Sequence, residues 1–459
     1  SLHSAGRHTA ARLSIMADNL NPVLGSLAND PKATEDYSKE TDEVIARVDT
    51  MKAAGRVDEA AEEMLALEKK CRMASDGIST AKLLCAVCKL YFDAGEWSKL
   101  QEHIVLLSKK RGQLRRAITD MVHLAMGWLE GLKKEQKLEL ISTLNDVTEG
   151  KIFVEVERAR LTKMLAEMKE AEGNTEEAAN LLQEVQVEAF GAMEAREKTE
   201  YILNQMRLVL LKKDFVRTQI ISKKINPKLL DKDEFQDLKI QYYEYMVRYW
   251  LHEKQYLQVC KCYLAIFNTP SVQADESKWK AALTAHVLYL TLAPYDNEQD
   301  DMLNRLDQLE SKKLDKVPVF KRIIKIFLRK EIAAWPLADE AEIKSHPAFQ
   351  ESPHEGASAR WDLLRKRVVQ HNIKVISEYY EQVRTERLCE LIGLDSKAAE
   401  LELSELVCSK FVYAKIDRPA GTIRFGQRQT YTDRLNDWSN GITKMVDLVE
   451  NTCHLIQKE

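Results

Sequence analysis

The thiols of Cys85 and Cys88, three positions apart in Cys85-Ala-Val-Cys88, have the spacing of half a zinc site or of a redox pair. Zinc would need a second Cys or His pair at finger spacing, and a redox motif would follow a strand. Neither condition is met, because residues 81–92 read as one apolar helix. Cys260-Lys-Cys262 is no better placed. Cys71, Cys389, Cys408 and Cys453 also sit mostly in helical patterns, so all eight cysteines read as reduced packing thiols of an intracellular protein. The ten histidines are scattered. His346 and His354 share a proline-containing stretch without ligand spacing, and His371 lies in a long helical pattern. Carboxylate pairs such as Glu155 with Glu157, or Glu176 with Glu177, read as solvated helix faces. No Gly-rich phosphate loop, dinucleotide fingerprint, His-Glu-x-x-His or Gly-x-Ser-x-Gly occurs. The residues therefore give no positive support for an enzyme, a metal or a cofactor.

The elements that carry these residues repeat. Between residues 42 and 334 a helix ends, a short polar turn follows, and a second helix opens with an apolar residue and a small or apolar one three positions on. Gly55-Arg-Val57-Asp-Glu-Ala60, Gly95-Glu-Trp97-Ser-Lys-Leu100 and Gly173-Asn-Thr175-Glu-Glu-Ala178 are instances. Lys213-Asp-Phe215-Val-Arg-Thr218 and Lys254-Gln-Tyr256-Leu-Gln-Val259 keep the pattern without the glycine. The period is about 40 residues, with a missing turn expected at Gly131, which is the signature of an α-solenoid of paired helices. Ile202, Met206 and Val209 supply the buried face of one such helix.

The last hundred residues change character. A long amphipathic helix is expected over 361–383, with Trp361, Leu364, Val368, Val375 and Tyr379 on one stripe. A short helix over 386–392 ends at Gly393, and Asp395 or Ser396 caps a third that carries Leu401, Leu403, Leu406 and Val407. The period then switches to two. Val412, Ala414 and Ile416 alternate with Tyr413 and Lys415, a turn at residues 417–421 reverses the chain, and Ile423 and Phe425 alternate back. Three helices and a two-stranded wing make a winged helix. The final helix holds Leu435, Trp438, Ile442, Met445, Val449, Thr452 and Ile456 at alternating spacings of three and four. That seam meets either its own winged helix or a helix of another chain.

Composition sets the frame. High but balanced charge, net −4, with sparse Gly and Pro describes a soluble, largely helical protein. It offers no electrostatic case for nucleic acid or an anionic membrane, and no apolar run reaches the length of a span. Residues 1–15 contain Arg7, Arg12, His3 and His8 and no acid, a weak likeness to a transit peptide, whereas Met16-Ala17-Asp18 looks like an ordinary start. The organisation expected is a poorly ordered extension over 1–41, the solenoid over 42–334, a Pro-containing linker over 335–359, a winged helix over 360–430 and an assembly helix over 431–459.

A helical solenoid capped by a winged helix and a long terminal helix resembles the PCI family of the proteasome lid, the signalosome and a translation initiation factor. The stretch 148–162, Arg217-Thr-Gln-Ile-Ile-Ser-Lys-Lys-Ile225, Ala293-Pro-Tyr-Asp-Asn-Glu-Gln299 and Leu435-Asn-Asp-Trp-Ser439 resemble the proteasome-lid members. The likeness runs from about residue 42 to 459. It implies an all-α fold, a right-handed α-solenoid of TPR-like helix pairs followed by a PCI winged helix and a C-terminal helix. It also implies a non-catalytic scaffold of cytoplasm and nucleus. Family partners would be other PCI subunits of the lid and a metalloprotease deubiquitinase pair met through a helical bundle. The solenoid arm can touch the ATPase ring and core particle. The interaction residues implied are the seam 435–456 and the wing residues Val412, Ala414, Ile416, Ile423 and Phe425.

Two other readings compete. A winged helix can place a recognition helix in the major groove. Here that helix carries Lys397 against Glu400, Glu402 and Glu405, the wrong sign for phosphate. Lys410, Lys415, Arg418, Arg424 and Arg428 make the wing side basic, which suits an acidic neighbouring subunit. The signalosome paralogue has the same architecture and equally no active site.

Overall fold

The computed structural model describes residues 37–53, 56–350, 357–426 and 431–458. Gly55, Pro353, His354, Gly356 and Arg428 lie outside these, as does the N-terminal extension up to residue 36. The chain divides into two compact units with the break between Tyr245 and Met246, and each is described by itself.

In the first unit, the first described helix starts at Ser38, inside the segment expected to be poorly ordered. The helix Ser38–Ala53 is anchored: the Tyr37 N–H donates to the Asp76 carboxylate at 3.2 Å, and Val44 and Val48 enter the core. Hairpins follow one another. Gly77–Ala94 pairs with Trp97–Lys109, Glu155–Ala171 with Thr175–Glu184, and Ala195–Leu211 with Phe215–Ser222. Between them Arg115–Trp128 packs on Gly77–Ala94, and Lys134–Thr148 packs on Trp97–Lys109 and on Glu155–Ala171. Apolar residues of the helices up to Glu155–Ala171, such as Ala60, Leu84, Ile104, Met121, Ile141 and Leu161, form one continuous core. Ile202, Met206 and Val209 are buried as expected.

The turn that closes each hairpin is set by the backbone. At Gly95 (φ 75°) and Gly173 (φ 90°) the chain enters the left-handed region, and the next N–H reaches back five residues: Glu96 to Tyr91, Asn174 to Lys169. Lys213 (φ 63°) and, in the second unit, Lys254 (φ 56°) adopt the same conformation, with Asp214 bonding back to Val209 and Gln255 to Trp250. The repeat therefore keeps its shape where it has lost its glycine. The turn expected at Gly131 stands in its place but is built as the 3-10 turn Leu129–Gly131.

The second unit is organised on the helix Glu276–Leu292. Every residue from Ala282 to Leu292 is buried, which fits an element apolar around its circumference. It packs against Tyr256–Phe267, Pro318–Leu328 and Ala357–Tyr379, the first helix of the winged module. Its polar groups are satisfied locally: Thr284 donates to the Ala281 carbonyl, and Thr291 to that of Leu288 at 2.8 Å.

The described part of the expected linker is packed structure. Glu340–Ser345 is helical, Pro347 opens a 3-10 turn, and Leu337, Ile343, Ala348 and Phe349 are buried. Trp335 and Phe349 meet the Trp361 ring at centroid distances of 5.2 and 5.5 Å. Arg322 binds Asp339 through two bonds of 2.7 Å, and the Asn372 amide exchanges bonds with the Ala333 backbone at 2.8 and 2.9 Å. Pro347, one of the prolines that suggested a loop, instead opens a short turn between apolar plugs.

In the winged module, the long helix is Ala357–Tyr379 rather than 361–383. Leu364, Val368 and Val375 are buried, while Tyr379 is exposed. Val383 belongs to a strand. The sheet has three antiparallel strands, β1 (Gln382–Arg384), β2 (Ala414–Asp417) and β3 (Thr422–Phe425), in the order β1-β3-β2. Val383 and Ile416 both stand opposite Ile423. The two-stranded wing expected from sequence is thus completed by a strand that directly follows the first helix. Thr385–Ile392 ends at Gly393 in the left-handed conformation, and Ser396–Cys408 buries Ala399, Leu403 and Leu406. Leu401 faces solvent. The chain ends in the helix Tyr431–Lys458.

Candidate assembly surface

The terminal helix buries nothing of its seam on its own chain. From Arg434 to Lys458 every side chain is exposed. Trp438 is 68% accessible, Met445 69% and Ile456 69%, with Leu435, Ile442 and Val449 also open. Thr452 turns its hydroxyl back to the Leu448 carbonyl at 2.7 Å, so its methyl joins the seam. Among the described residues the seam is not packed on the chain's own winged helix, which favours the reading in which it meets a helix of another chain. Sequence spacing also missed part of the surface. Val446, Leu448 and Leu455 are exposed as well, and at 100° per residue they widen the apolar arc to about half the circumference. A two-stranded coil needs a narrower stripe, so an arc this wide suits a helix set among two or more others.

The wing residues divide. Val412, Ile423 and Phe425 are buried in the winged module's own core with Ile373, Ile376, Leu388 and Leu403, so their side chains are spent on the fold. This corrects the expectation that they meet a partner directly. Ala414 and Ile416 are half-buried on β2. Because β3 is central, β2 and β1 are the two edges, and β1 offers one that the sequence did not reveal.

The candidate recognition helix keeps its acids engaged. Lys366 reaches Glu405 at 2.6 Å and Glu402 at 3.4 Å, and Arg418 from the wing turn pairs with Glu400. A groove of about 830 Å³ lies between this helix and the wing, lined by Arg384, Leu388, Ser396, Ile416 and Thr422 among others.

The residues with chemical potential are arranged as packing. Burial pushes the Cys85 thiol up to about 12 and raises Cys88 further. Cys260 and His286 form the one Cys-His contact among the described residues, Sγ to Nδ1 at 3.1 Å, both buried. The Nδ1–H donates to the Cys260 carbonyl at 2.9 Å. Burial raises the thiol and lowers the imidazole to about 4, the reverse of a thiolate–imidazolium pair. His346 accepts from the Ala348 N–H through Nδ1 at 3.1 Å and meets the Thr284 hydroxyl through Nε2 at 3.0 Å. His371 is buried on the winged module's first helix, with its ring 5.6 Å from that of Phe327. No group of three metal-ligating side chains occurs among the described residues, and no described helix is long and apolar enough to cross a membrane.

Comparison with known proteins gives three family matches along the chain. Residues 59–275 match the PSMD12/CSN4 N-terminal family, 337–427 the PCI domain, and 433–459 the C-terminal domain of 26S proteasome regulatory subunit RPN5. The 26S proteasome non-ATPase regulatory subunit 12 of Dictyostelium discoideum is 42% identical over 97% of this chain and 98% of that protein. Regulatory subunit RPN5 of Saccharomyces cerevisiae is 37% identical over 93% and 96%. The COP9 signalosome complex subunit 4 of Emericella nidulans is more distant, 25% identical over 65% of this chain and 72% of its own length.

Proposed function

The chain belongs to the family of 26S proteasome non-ATPase regulatory subunit 12 and Rpn5, and from this premise we propose that it is a non-catalytic scaffold of the lid of the proteasome regulatory particle. It supports ubiquitin-dependent degradation by holding other subunits in place. The observation that carries this reading is the terminal helix, whose seam of Leu435, Trp438, Ile442, Met445, Val449, Thr452 and Ile456 is open to solvent along its length. Water does not tolerate that much contiguous apolar surface without a partner. In the proposed assembly this helix enters a bundle with the terminal helices of other PCI subunits and of the metalloprotease deubiquitinase pair. The β2 edge, with Ala414 and Ile416, extends into the sheet of a neighbouring winged module. The helical arm reaches toward the ATPase ring and core particle, and the complex works in cytoplasm and nucleus.

Co-purification tests the reading. A tagged chain should bring down proteasomal ATPases and lid subunits. Recovery of signalosome subunits alone would replace it with the paralogous complex, which the Rpn5-type match at residues 433–459 disfavours. Nucleic acid is a weaker reading, since the would-be recognition helix carries Glu400, Glu402 and Glu405 on lysine and arginine partners of this chain. A salt-dependent shift of duplex DNA would revive it.

A further inference from the structure

The chain is acidic in sum, yet residues 207–232 hold eight Lys and Arg against two Asp. A second basic stretch, residues 311–330, holds eight against one, and the two differ in what their charges do. In the second, six cations are held by carboxylates of the chain, among them Lys316 on Glu276, Arg322 on Asp339 and Lys330 on Glu378. In the first, only Arg207, Arg217 and Lys224 have such partners. No carboxylate among the described residues pairs with Lys213, Lys223 or Lys228.

Lys213 and Lys223 flank exposed aliphatic side chains. The helix Phe215–Ser222 buries Thr218, Ile221 and Ser222. Its opposite strip, at spacings of four and three, carries Val216, Ile220 and then Lys223. Val216 is 71% and Ile220 58% accessible, and Leu211 is open at the end of the preceding helix. The strip is about 10 Å long, two turns of helix. Lys213 lies at its start, in the left-handed turn.

We propose that this strip is a docking surface for an acidic amphipathic helix of a partner protein, with Val216 and Ile220 taking its apolar side chains and Lys213 and Lys223 its carboxylates. The chemistry selects that occupant. A nucleic acid would use cations with stacking aromatics rather than an aliphatic centre, and a bilayer would be met by a longer apolar face with bulky side chains. Two aliphatic anchors at helical spacing between cations match a short helix laid across them.

The test uses the full-length chain and a fluorescein-labelled 18-residue peptide with Leu at helical i, i+3, i+4, i+7 spacing and Glu elsewhere. The comparison probes are a scrambled peptide of the same composition, oligo-glutamate, phosphatidylserine vesicles and single-stranded RNA. The helical peptide should bind most tightly. Val216→Ser with Ile220→Ser should weaken it about tenfold or more, and Lys213→Glu with Lys223→Glu should do the same while flattening its salt dependence. Trp438→Ser with Ile442→Ser should leave it unchanged, which separates this surface from the terminal seam. Unaltered thermal melts establish that the exposed substitutions leave the fold intact. Equal binding of the scrambled peptide or oligo-glutamate, tighter binding of RNA or vesicles, or indifference to the two sets of variants would each overturn the proposal. The assay reads the isolated chain, so its failure leaves the lid assignment standing.

Discussion

Two helices of the second unit, Glu276–Leu292 and Tyr431–Lys458, are both rich in apolar residues and end in opposite states. The first is buried from Ala282 to Leu292, and the second is exposed from Arg434 to Lys458. The first carries apolar residues around its whole circumference and is surrounded by three helices of its own chain. The second confines them to about half of its circumference and finds no covering surface here. The contrast teaches that one helix completes a fold while the other, on the proposed reading, begins an assembly. On that reading its seam is a core awaiting other chains.

The comparison can be broken most forcefully at the seam. Polar substitution of Trp438, Ile442 and Met445 together should remove on the order of 5 kcal/mol of apolar burial from the assembly, a loss in affinity of about a thousandfold or more. The isolated protein should melt as before. Gradient co-sedimentation with lid subunits reads the first effect, and normal incorporation of the triple variant would refute the bundle role. The converse substitution, Leu288→Ala, sits at a fully buried position. It should destabilise the isolated chain by about 2–5 kcal/mol in urea titration, where Trp438→Ala shifts it by less than about 0.5 kcal/mol. Comparable effects from the two would erase the distinction.

The buried helix should also impose a pH dependence that the exposed one lacks. His286 has its imidazole lowered by burial from 6.5 to about 4. The folded state therefore binds fewer protons than the unfolded one between these values. Stability is full above pH 6.5 and falls as the pH drops toward 4, by about 3 kcal/mol in all. His286→Asn, which can keep an N–H toward the Cys260 carbonyl, should flatten that slope. Urea midpoints of both proteins from pH 7.5 to 4.5 measure it, and parallel slopes would reject the assignment. The smallest effect belongs to the hairpin turns. Lys213→Gly should stabilise by up to about 1 kcal/mol by relieving a left-handed lysine, whereas Gly95→Ala at φ 75° should cost about 1 kcal/mol.

The repeat was readable because its turns impose a backbone conformation, and the pattern held at Lys213 and Lys254 despite the missing glycine. The seam was equally legible, since heptad spacing is local. Its exposure was not, because whether an apolar stripe is covered depends on elements far away or on other chains. β1 was hidden for a different reason. Val375, Tyr379 and Val383 continue a four-residue spacing, so the strand read as one more turn of helix. The packed connection at residues 335–350 was masked by its prolines, which signal turns but say nothing of Ile343 and Phe349 filling the space between them. The wing edge residues were only half legible. Alternation identified Ile423 and Phe425 as strand residues, began the strand too early at Val412, and could not tell an inward face from one offered to a neighbour.

The total burial of Glu276–Leu292 has a practical corollary for anyone dividing this polypeptide. One rod packs on Tyr256–Phe267 and also on the first helix of the winged module, with the Arg367 guanidinium tied to its last carbonyl at 3.1 Å. A fragment beginning at the proline-rich stretch would leave behind the surface on which Ala357–Tyr379 packs. Excision there would yield a sticky torso rather than a portable module.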